Sequence, residues 1–112
     1  TQLLSVTLGE LNLVGGNQIP DTYSLKQNYP NPFNPSTNIS FDLPSDANVR
    51  LTVFDMMGKP VRSLINGSMS AGRRSVYWNG RNNNGQPVGA GLYIYTIQTK
   101  DFSQTRKMML LK

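Results

Sequence analysis

The 112-residue chain contains no cysteine and no histidine. Without cysteine, neither a disulfide framework nor a thiolate metal site can hold the fold, so side-chain packing must stabilise it. Without histidine the commonest general base is missing, and a serine nucleophile would need a lysine or carboxylate partner that no pairing in the sequence supplies. We therefore expect a protein that is not an enzyme and that binds no cofactor.

Long apolar runs are also absent. No stretch approaches the roughly 18 to 20 residues that a membrane-spanning helix needs, and no export signal opens the chain. We expect no direct membrane insertion. The first residue is Thr1 rather than methionine, which indicates a fragment or a processed product from which a signal could have been removed.

Turn-forming residues are abundant, with 10 glycines and 7 prolines, while only 15% of the residues are charged. From Tyr23 onward, short apolar segments are separated by turn residues every 8 to 12 positions or so, which is typical of a β-sandwich. The composition and the spacing together predict an all-β fold. Seven strands are predicted, over residues 23–27, 37–43, 48–55, 61–65, 73–78, 91–99 and 105–112.

Alternation within the strands predicts the core, because successive strand residues point to opposite faces. The predicted inward residues are Ile39, Phe41, Leu43, Val49, Leu51, Val53, Val76 and Trp78. The segment "GLYIYTI" is apolar on both faces and is predicted to be a central strand. Tyr93, Tyr95 and Ile97 share one of its faces and Leu92 and Ile94 the other, and the sequence leaves open which face is buried.

Glycine positions predict the turns. Gly58 in "DMMGK" suits a hairpin loop that needs a positive φ. Three Asn-Gly dipeptides favour type I′ turns. They are Asn66-Gly67, Asn79-Gly80 and Asn84-Gly85.

Two possible chemical sites are disfavoured. The loop "WNGRNNNGQPVGAG" is polar, but Asn79, Asn82, Asn83 and Asn84 offer only neutral carbonyls where Ca²⁺ prefers carboxylates, so we expect these amides to close turns instead. A glycosidase would need two carboxylates at a fixed separation. Asp42, Asp46, Asp55 and Asp101 are scattered over different strands and turns, and we expect them to be solvated.

The formal net charge is +5. Basic residues that would be able to line a phosphate groove are Arg73, Arg74, Arg81, Arg106, Lys107 and Lys112. The aromatic residues, however, lie mostly in strand positions that should be buried. We expect no nucleic acid partner, and a basic surface that is either solvated or matched to an acidic partner.

The segment "NYPNPFNPST" precedes the first convincing strand. Residues before proline are held extended, and three missing N–H donors keep the segment out of a central ladder. We expect a stiff lead-in whose Phe33 plugs one end of the sandwich. The alternative is a polyproline-type docking site.

Four ordered blocks carry a family resemblance. They are "YSLKQNYPNPFNPSTNISFDLP", "VRLTVFDMMGKPVRSL", "WNGRNNNGQPVGAGLYIYTI" and "TRKMMLLK", and together they cover about residues 20–112. This region resembles the type A C-terminal sorting domain of the type IX secretion system of Bacteroidetes. The middle blocks also resemble the immunoglobulin-like domain of flagellar hook-capping proteins. Both resemblances imply an immunoglobulin-like sandwich of about seven antiparallel strands with Greek-key connections.

The sorting-domain resemblance implies a non-catalytic secretion signal. Its expected partners are the outer-membrane type IX translocon, a sortase-like peptidase and an N-terminal passenger in the same precursor; we expect the domain itself to be monomeric. The passenger would be exported to the periplasm, carried across the outer membrane, cut from the domain in the upstream linker, and then attached to the cell surface or released.

The resemblance also suggests residue roles. Residues 1–22 are expected to be an upstream segment and linker, and 23–112 the sorting domain. Translocon recognition is assigned to Arg106, Lys107, Met108, Leu110 and Lys112, with the alternative that Met108 and Leu110 simply close the core. Cleavage is expected among Gly15, Gly16, Asn17, Gln18, Ile19, Pro20, Asp21 and Thr22. Structural roles are expected for Pro30, Asn31, Pro32, Phe33, Asn34, Pro35, Trp78, Gly80, Gly85, Gly91 and Tyr93.

A second function class is an accessory module that binds polysaccharide or a neighbouring protein, since a sandwich fold does not fix function. A flat exposed row of Tyr77, Trp78 and Phe102 would favour sugar binding. A buried Trp78 would count against it.

Overall fold

The structure, a computed structural model, describes residues 19–111, and strands dominate this part of the chain. There are seven strands in it, as the sequence predicts. They are β1 (Ser24–Leu25), β2 (Thr37–Leu43), β3 (Ala47–Asp55), β4 (Pro60–Met69), β5 (Gly72–Trp78), β6 (Gly91–Gln98) and β7 (Ser103–Leu110).

The strands form two antiparallel sheets. One has the order β1-β2-β5 and the other has the order β4-β3-β6-β7. The chain changes sheet between β2 and β3, between β4 and β5, and between β5 and β6, so sequence neighbours are separated as in a Greek key. The predicted all-β, immunoglobulin-like sandwich is confirmed.

The core lies between the sheets and follows the predicted alternation. β2 and β3 bury every second residue, and the predicted inward residues of both strands are at most 1% exposed. Strand β6 is central, and its buried face is the one that carries Tyr93, Tyr95 and Ile97. Val76 is only half-buried, because β5 is an edge strand.

None of the three Asn-Gly dipeptides forms the central pair of a two-residue hairpin turn. Around Asn84-Gly85 the Gly85 N–H donates to the Asn82 carbonyl, so the central residues of that turn are Asn83 and Asn84. Asn66-Gly67 is not a turn, because β4 continues through it and pairs Asn66 with Arg50 across the ladder. The Asn-Gly dipeptide does not end the strand, because β4 continues to Met69, beyond its last pair of adjacent apolar residues, Leu64 and Ile65. Asn79-Gly80 joins strands of different sheets and therefore does not close a hairpin. The Gly58 turn is confirmed, with φ +85° and a hydrogen bond from its N–H to the Asp55 carbonyl.

The proline-rich lead-in moves the chain from one sheet to the other. Tyr29 still pairs with Asn38 of β2, whereas Phe33 forms a parallel bridge with Leu110 of β7. The peptide bonds before Pro30, Pro32 and Pro35 are cis. Phe33 is 1% exposed and packs on Trp78, with 5.7 Å between the ring centroids. The prediction that Phe33 plugs one end of the sandwich is confirmed.

Candidate functional site on the terminal strand

The two faces of strand β7 differ in burial. Met108 and Leu110 point inward and are each 1% exposed. Lys107, Met109 and Leu111 have the opposite parity and face outward, with Lys107 and Leu111 exposed and Met109 half-buried. The alternation places the apolar and basic residues of "RKMMLL" on both sides of one edge strand.

The residues predicted to bind a translocon are therefore not all on the surface. Met108 and Leu110 close the core, which was the alternative considered from the sequence. Arg106 is half-buried, and its Nε donates to the Leu25 carbonyl at 2.6 Å. Lys107 is exposed, and Lys112 lies outside the described residues. In the folded domain only Lys107 of the four described residues has a freely exposed side chain.

A different set of apolar side chains is exposed beside Lys107. In the sheet register Leu92 lies opposite Met109, and Ile94 lies between Phe54 and Lys107. The hairpin after β3 adds two exposed methionines. We call this surface the terminal apolar patch: Phe54, Met56, Met57, Leu92, Ile94, Met109 and Leu111.

Exposure within the patch is high for apolar side chains. Met57 is 94% exposed, Met56 53%, Leu111 48% and Leu92 40%. Phe54, Ile94 and Met109 are half-buried. A cluster of apolar residues that are at least partly exposed is typical of interaction sites, and methionine adapts to irregular partner surfaces. Sequence analysis missed the patch. The signal was present in the apolar outward face of "GLYIYTI", which was attributed only to a central position.

The outer edge of β7 is partly covered by the lead-in. The Phe33 N–H donates to the Met109 carbonyl at 2.9 Å, and the Leu111 N–H donates to the Phe33 carbonyl at 2.8 Å. Asn31 Oδ1 accepts from the Met109 N–H at 3.0 Å. Towards the other end, the edge at Ser103 and Thr105 has no backbone partner within residues 19–111.

A buried polar network fixes the lead-in to β6. The Asn28 N–H donates to the Tyr95 hydroxyl at 2.8 Å, and that hydroxyl donates to the Lys26 carbonyl at 2.8 Å. The Asn28 amide donates to Thr37 Oγ1 and to the Pro30 carbonyl. Burial raises the pKa of Tyr95, and the Asn28 hydrogen bond and the Arg106 charge offset part of the increase.

The aromatic residues assigned structural roles form one cluster. Trp78 is fully buried between Phe33 and Tyr93, and its centroid lies 5.7 Å from each of the other two. Its Nε1–H donates to the Arg81 carbonyl at 2.9 Å, and the Tyr93 hydroxyl donates to the Gly89 carbonyl at 2.6 Å. These contacts bind the 79–90 loop to the core.

Two of the four loop asparagines, Asn79 and Asn82, close turns as the sequence predicts, whereas Asn83 Oδ1 accepts from the Ser63 N–H of β4. Asn82 Oδ1 accepts from the N–H groups of Asn84 and Gln86, and Asn79 Oδ1 accepts from the Arg81 N–H. Gly85 has φ +81° within this turn. In the part of the chain that the structure describes, no group of three His, Cys, Asp or Glu side chains is placed to hold a metal ion.

The aromatic row that would favour sugar stacking does not form. Trp78 is buried, Phe102 stacks on Tyr23 with centroids 5.1 Å apart, and Tyr77 is exposed on its own at 59%. Within residues 19–111, no helix is long and apolar enough to cross a membrane.

The predicted cleavage region is only partly described. Gly15, Gly16, Asn17 and Gln18 lie outside the described residues. Ile19, Asp21 and Thr22 are exposed and Pro20 is buried, all without strand structure. The boundary between linker and domain stays a prediction.

Comparison with known proteins places the fold in a family. A model of the FlgD Ig-like domain matches residues 27–102. The chain belongs to the FlgD Ig-like domain family. The match ends immediately before β7, so the terminal strand of this FlgD-type domain lies outside the matched region. No curated protein matches the chain.

Solved structures with the same fold include three bacterial proteins. FlgD from P. aeruginosa is 29% identical with a TM-score of 0.53, and the match covers 66% of this chain and 58% of that one. Latent PorU from Porphyromonas gingivalis is 21% identical with a TM-score of 0.61, covering 76% of this chain and 9% of that one.

The third structure is PorZ, described as an essential surface component of the type IX secretion system of P. gingivalis. It is 19% identical with a TM-score of 0.54, covering 88% of this chain and 12% of that one. The FlgD-type domain therefore spans less than two thirds of the length of each of these solved chains. The likenesses to PorU and PorZ show the fold alone.

Proposed function

We propose that this FlgD-type domain is a non-catalytic secretion signal that directs a passenger across the outer membrane by the type IX secretion system. Two facts support the proposal: the four sequence blocks that resemble the sorting domain, and the shared fold with a surface component of that system. The expected route is through the periplasm to the cell surface or the medium.

The observation that carries the proposal is the outward face of β7. This strand lies outside the FlgD family match, and beside Lys107 it displays Met109 and Leu111 next to Leu92. A domain whose only task was to fold would gain nothing from exposing these side chains, because apolar surface in water is unfavourable. We assign translocon recognition to the terminal apolar patch and Lys107, rather than to the buried Met108 and Leu110.

We expect cleavage upstream of the proline-rich lead-in. A peptidase needs an extended substrate, and residues from Tyr23 onward are held by stacking, strand pairing and the Asn28 network. We expect the sortase-like peptidase to cut between Gly15 and Tyr23. Mass spectrometry of the secreted passenger would locate its C-terminus, and a terminus beyond Phe33 would contradict this assignment.

The test of the main proposal is a fusion of residues 20–112 to an inert reporter in a bacterium with type IX secretion. The reporter should reach the surface or the medium. Its retention in the periplasm, with the fused domain folded, would overturn the secretion-signal proposal.

The patch is tested in the same fusion by the double change Leu92→Ser and Met109→Ser. Both side chains face outward, so the domain should fold while export falls. Tyr77→Ser is the matched control, because it removes an exposed apolar side chain from the other sheet. Normal export of the double variant would exclude the patch and leave the secretion-signal proposal standing.

A further inference from the structure

An open groove crosses the outward face of the four-stranded sheet, at the end away from the terminal apolar patch. Its volume is about 530 Å³, within the range of roughly 300 to 1,000 Å³ usual for ligand sites. All four strands or their connecting turns contribute to its lining. Leu92 and Ile94 of the patch lie four to six residues along β6 from Gln98 in the groove, which is about 14 to 20 Å of strand.

The sheet register places four polar side chains in one row across the groove. Arg50 of β3 lies opposite Asn66 of β4 on one side and Gln98 of β6 on the other, and Gln98 lies opposite Ser103 of β7. All four residues are exposed and line the groove. No carboxylate is among the lining residues.

The Arg50 guanidinium is not used by the fold. Within residues 19–111 neither Arg50 nor Arg73 makes a side-chain hydrogen bond or ion pair, whereas Arg62, Arg74, Arg81 and Arg106 all donate to backbone carbonyls. The planar fork of Arg50 matches a carboxylate or sulfate group, which accepts two parallel hydrogen bonds. The neighbouring amides and hydroxyl each supply both a donor and an acceptor.

We propose that this groove binds an acidic saccharide, with Arg50 holding the sugar carboxylate and Asn66, Gln98 and Ser103 bonding to its hydroxyl groups. Vicinal hydroxyls donate and accept at once, as side-chain amides do. A peptide fits less well, because the only apolar lining residue is Val49, which is 1% exposed and leaves no pocket for a side chain. The accessory binding function considered from the sequence thereby gains a site without an aromatic platform. It does not depend on the secretion-signal proposal.

The test is a titration of the full 112-residue chain with an oligogalacturonate, a sugar chain that carries one carboxylate per residue. The chain should bind it, and Arg50→Gln should weaken the affinity by about 10- to 100-fold, the usual size of a lost charge-assisted hydrogen-bond pair. Arg50→Lys should recover only part of the affinity, since lysine lacks the fork. Both variants should keep the unfolding temperature of the parent chain.

Arg73→Gln is the control variant, because it removes the same charge from an exposed position on the other sheet. It should leave the affinity within about twofold of the parent, as expected for a distant charge screened by salt. An equal loss in both variants would overturn the proposal in favour of diffuse electrostatic attraction. Equal binding of the neutral methyl ester, or tighter binding of a polyglutamate peptide or duplex DNA, would also overturn it.

Discussion

The backbone N–H of Phe33 donates a hydrogen bond to the carbonyl oxygen of Met109 at 2.9 Å. Residues that are 76 positions apart in the numbering are thereby joined, the first in the proline-rich lead-in and the second in the terminal strand. The side chain of Phe33 enters the core at the same point, against Trp78. The proline-rich lead-in, which lies within the region matched by the FlgD family, and the terminal strand, which lies beyond it, are therefore parts of one structural unit.

Replacing Phe33 should destabilise the whole domain. We expect Phe33→Ala to lower the free energy of unfolding by about 3 to 5 kcal/mol, because a fully buried ring is lost and a cavity is left beside Trp78. Urea unfolding followed by tryptophan fluorescence measures this directly. Tyr29→Ala is the control, since Tyr29 is 81% exposed and its loss should cost less than about 0.5 kcal/mol. Similar losses in the two variants would show that Phe33 is not a core residue in solution.

The stability of the domain should fall in alkaline solution. Burial raises the pKa of Tyr95 above its ordinary value of 10.0. From about pH 10 upward the unfolded chain loses this proton while the folded domain retains it, so the free energy of unfolding decreases as the pH rises. Below that range the contribution of Tyr95 is fully present and does not vary with pH.

Tyr95→Phe isolates this effect. The variant should be less stable by about 1 to 3 kcal/mol at neutral pH, because the Asn28 N–H and the Lys26 carbonyl lose their partner. Its stability should also decline less steeply above pH 10, although Tyr93, whose pKa is raised by burial and by Asp55, still contributes. Parallel pH profiles for the two proteins would contradict the assigned role of Tyr95.

Gly80 and Gly85 should respond differently to the same substitution. Both have positive φ, which costs a side chain about 1 to 2 kcal/mol. A Cβ at Gly80 would also meet the Pro35 carbonyl oxygen at 2.8 Å, whereas a Cβ at Gly85 meets nothing within 4 Å. We expect Gly80→Ala to be clearly more destabilising than Gly85→Ala in thermal unfolding. Equal effects would mean that the 79–90 loop can move away from Pro35 freely.

The fold was largely predictable because its signals are local. Period-two alternation in "NISFDL" and "NVRLTV" and the glycine in "DMMGK" each specify their structure within a few residues. The buried face of β6 was not predictable, because Leu92 and Ile94 are as apolar as Tyr93 and Tyr95 and only the opposing sheet decides between them. The same ambiguity hid the terminal apolar patch.

The outward-facing residues of the terminal strand were not predictable for a related reason. The sequence shows that Met108 and Met109 point to opposite faces of the strand. Which of the two points into the core depends on the register with β6, which is a long-range property. At Asn66-Gly67 the local sequence signal was clear but misleading. A strong local turn signal was overridden there because the ladder with β3 continues through it.

Truncation of the terminal strand should unfold the domain rather than only remove a recognition sequence. Deleting residues 108–112 removes the buried Met108 and Leu110 and the hydrogen bonds that join Met109 and Leu111 to Phe33. Each of the two buried side chains alone is worth about 2 to 5 kcal/mol, which approaches the total stability of a small domain. We expect circular dichroism of the truncated chain to show no cooperative thermal transition.

Leu111→Ser is the control for the truncation, because Leu111 is 48% exposed and its change should leave the transition nearly unmoved. A truncated chain that melts like the parent would contradict the core roles of Met108 and Leu110 and restore them as candidates for direct recognition. If it unfolds, an export defect after truncation says nothing about recognition. Outward-facing point variants such as Met109→Ser are then required to separate binding from stability.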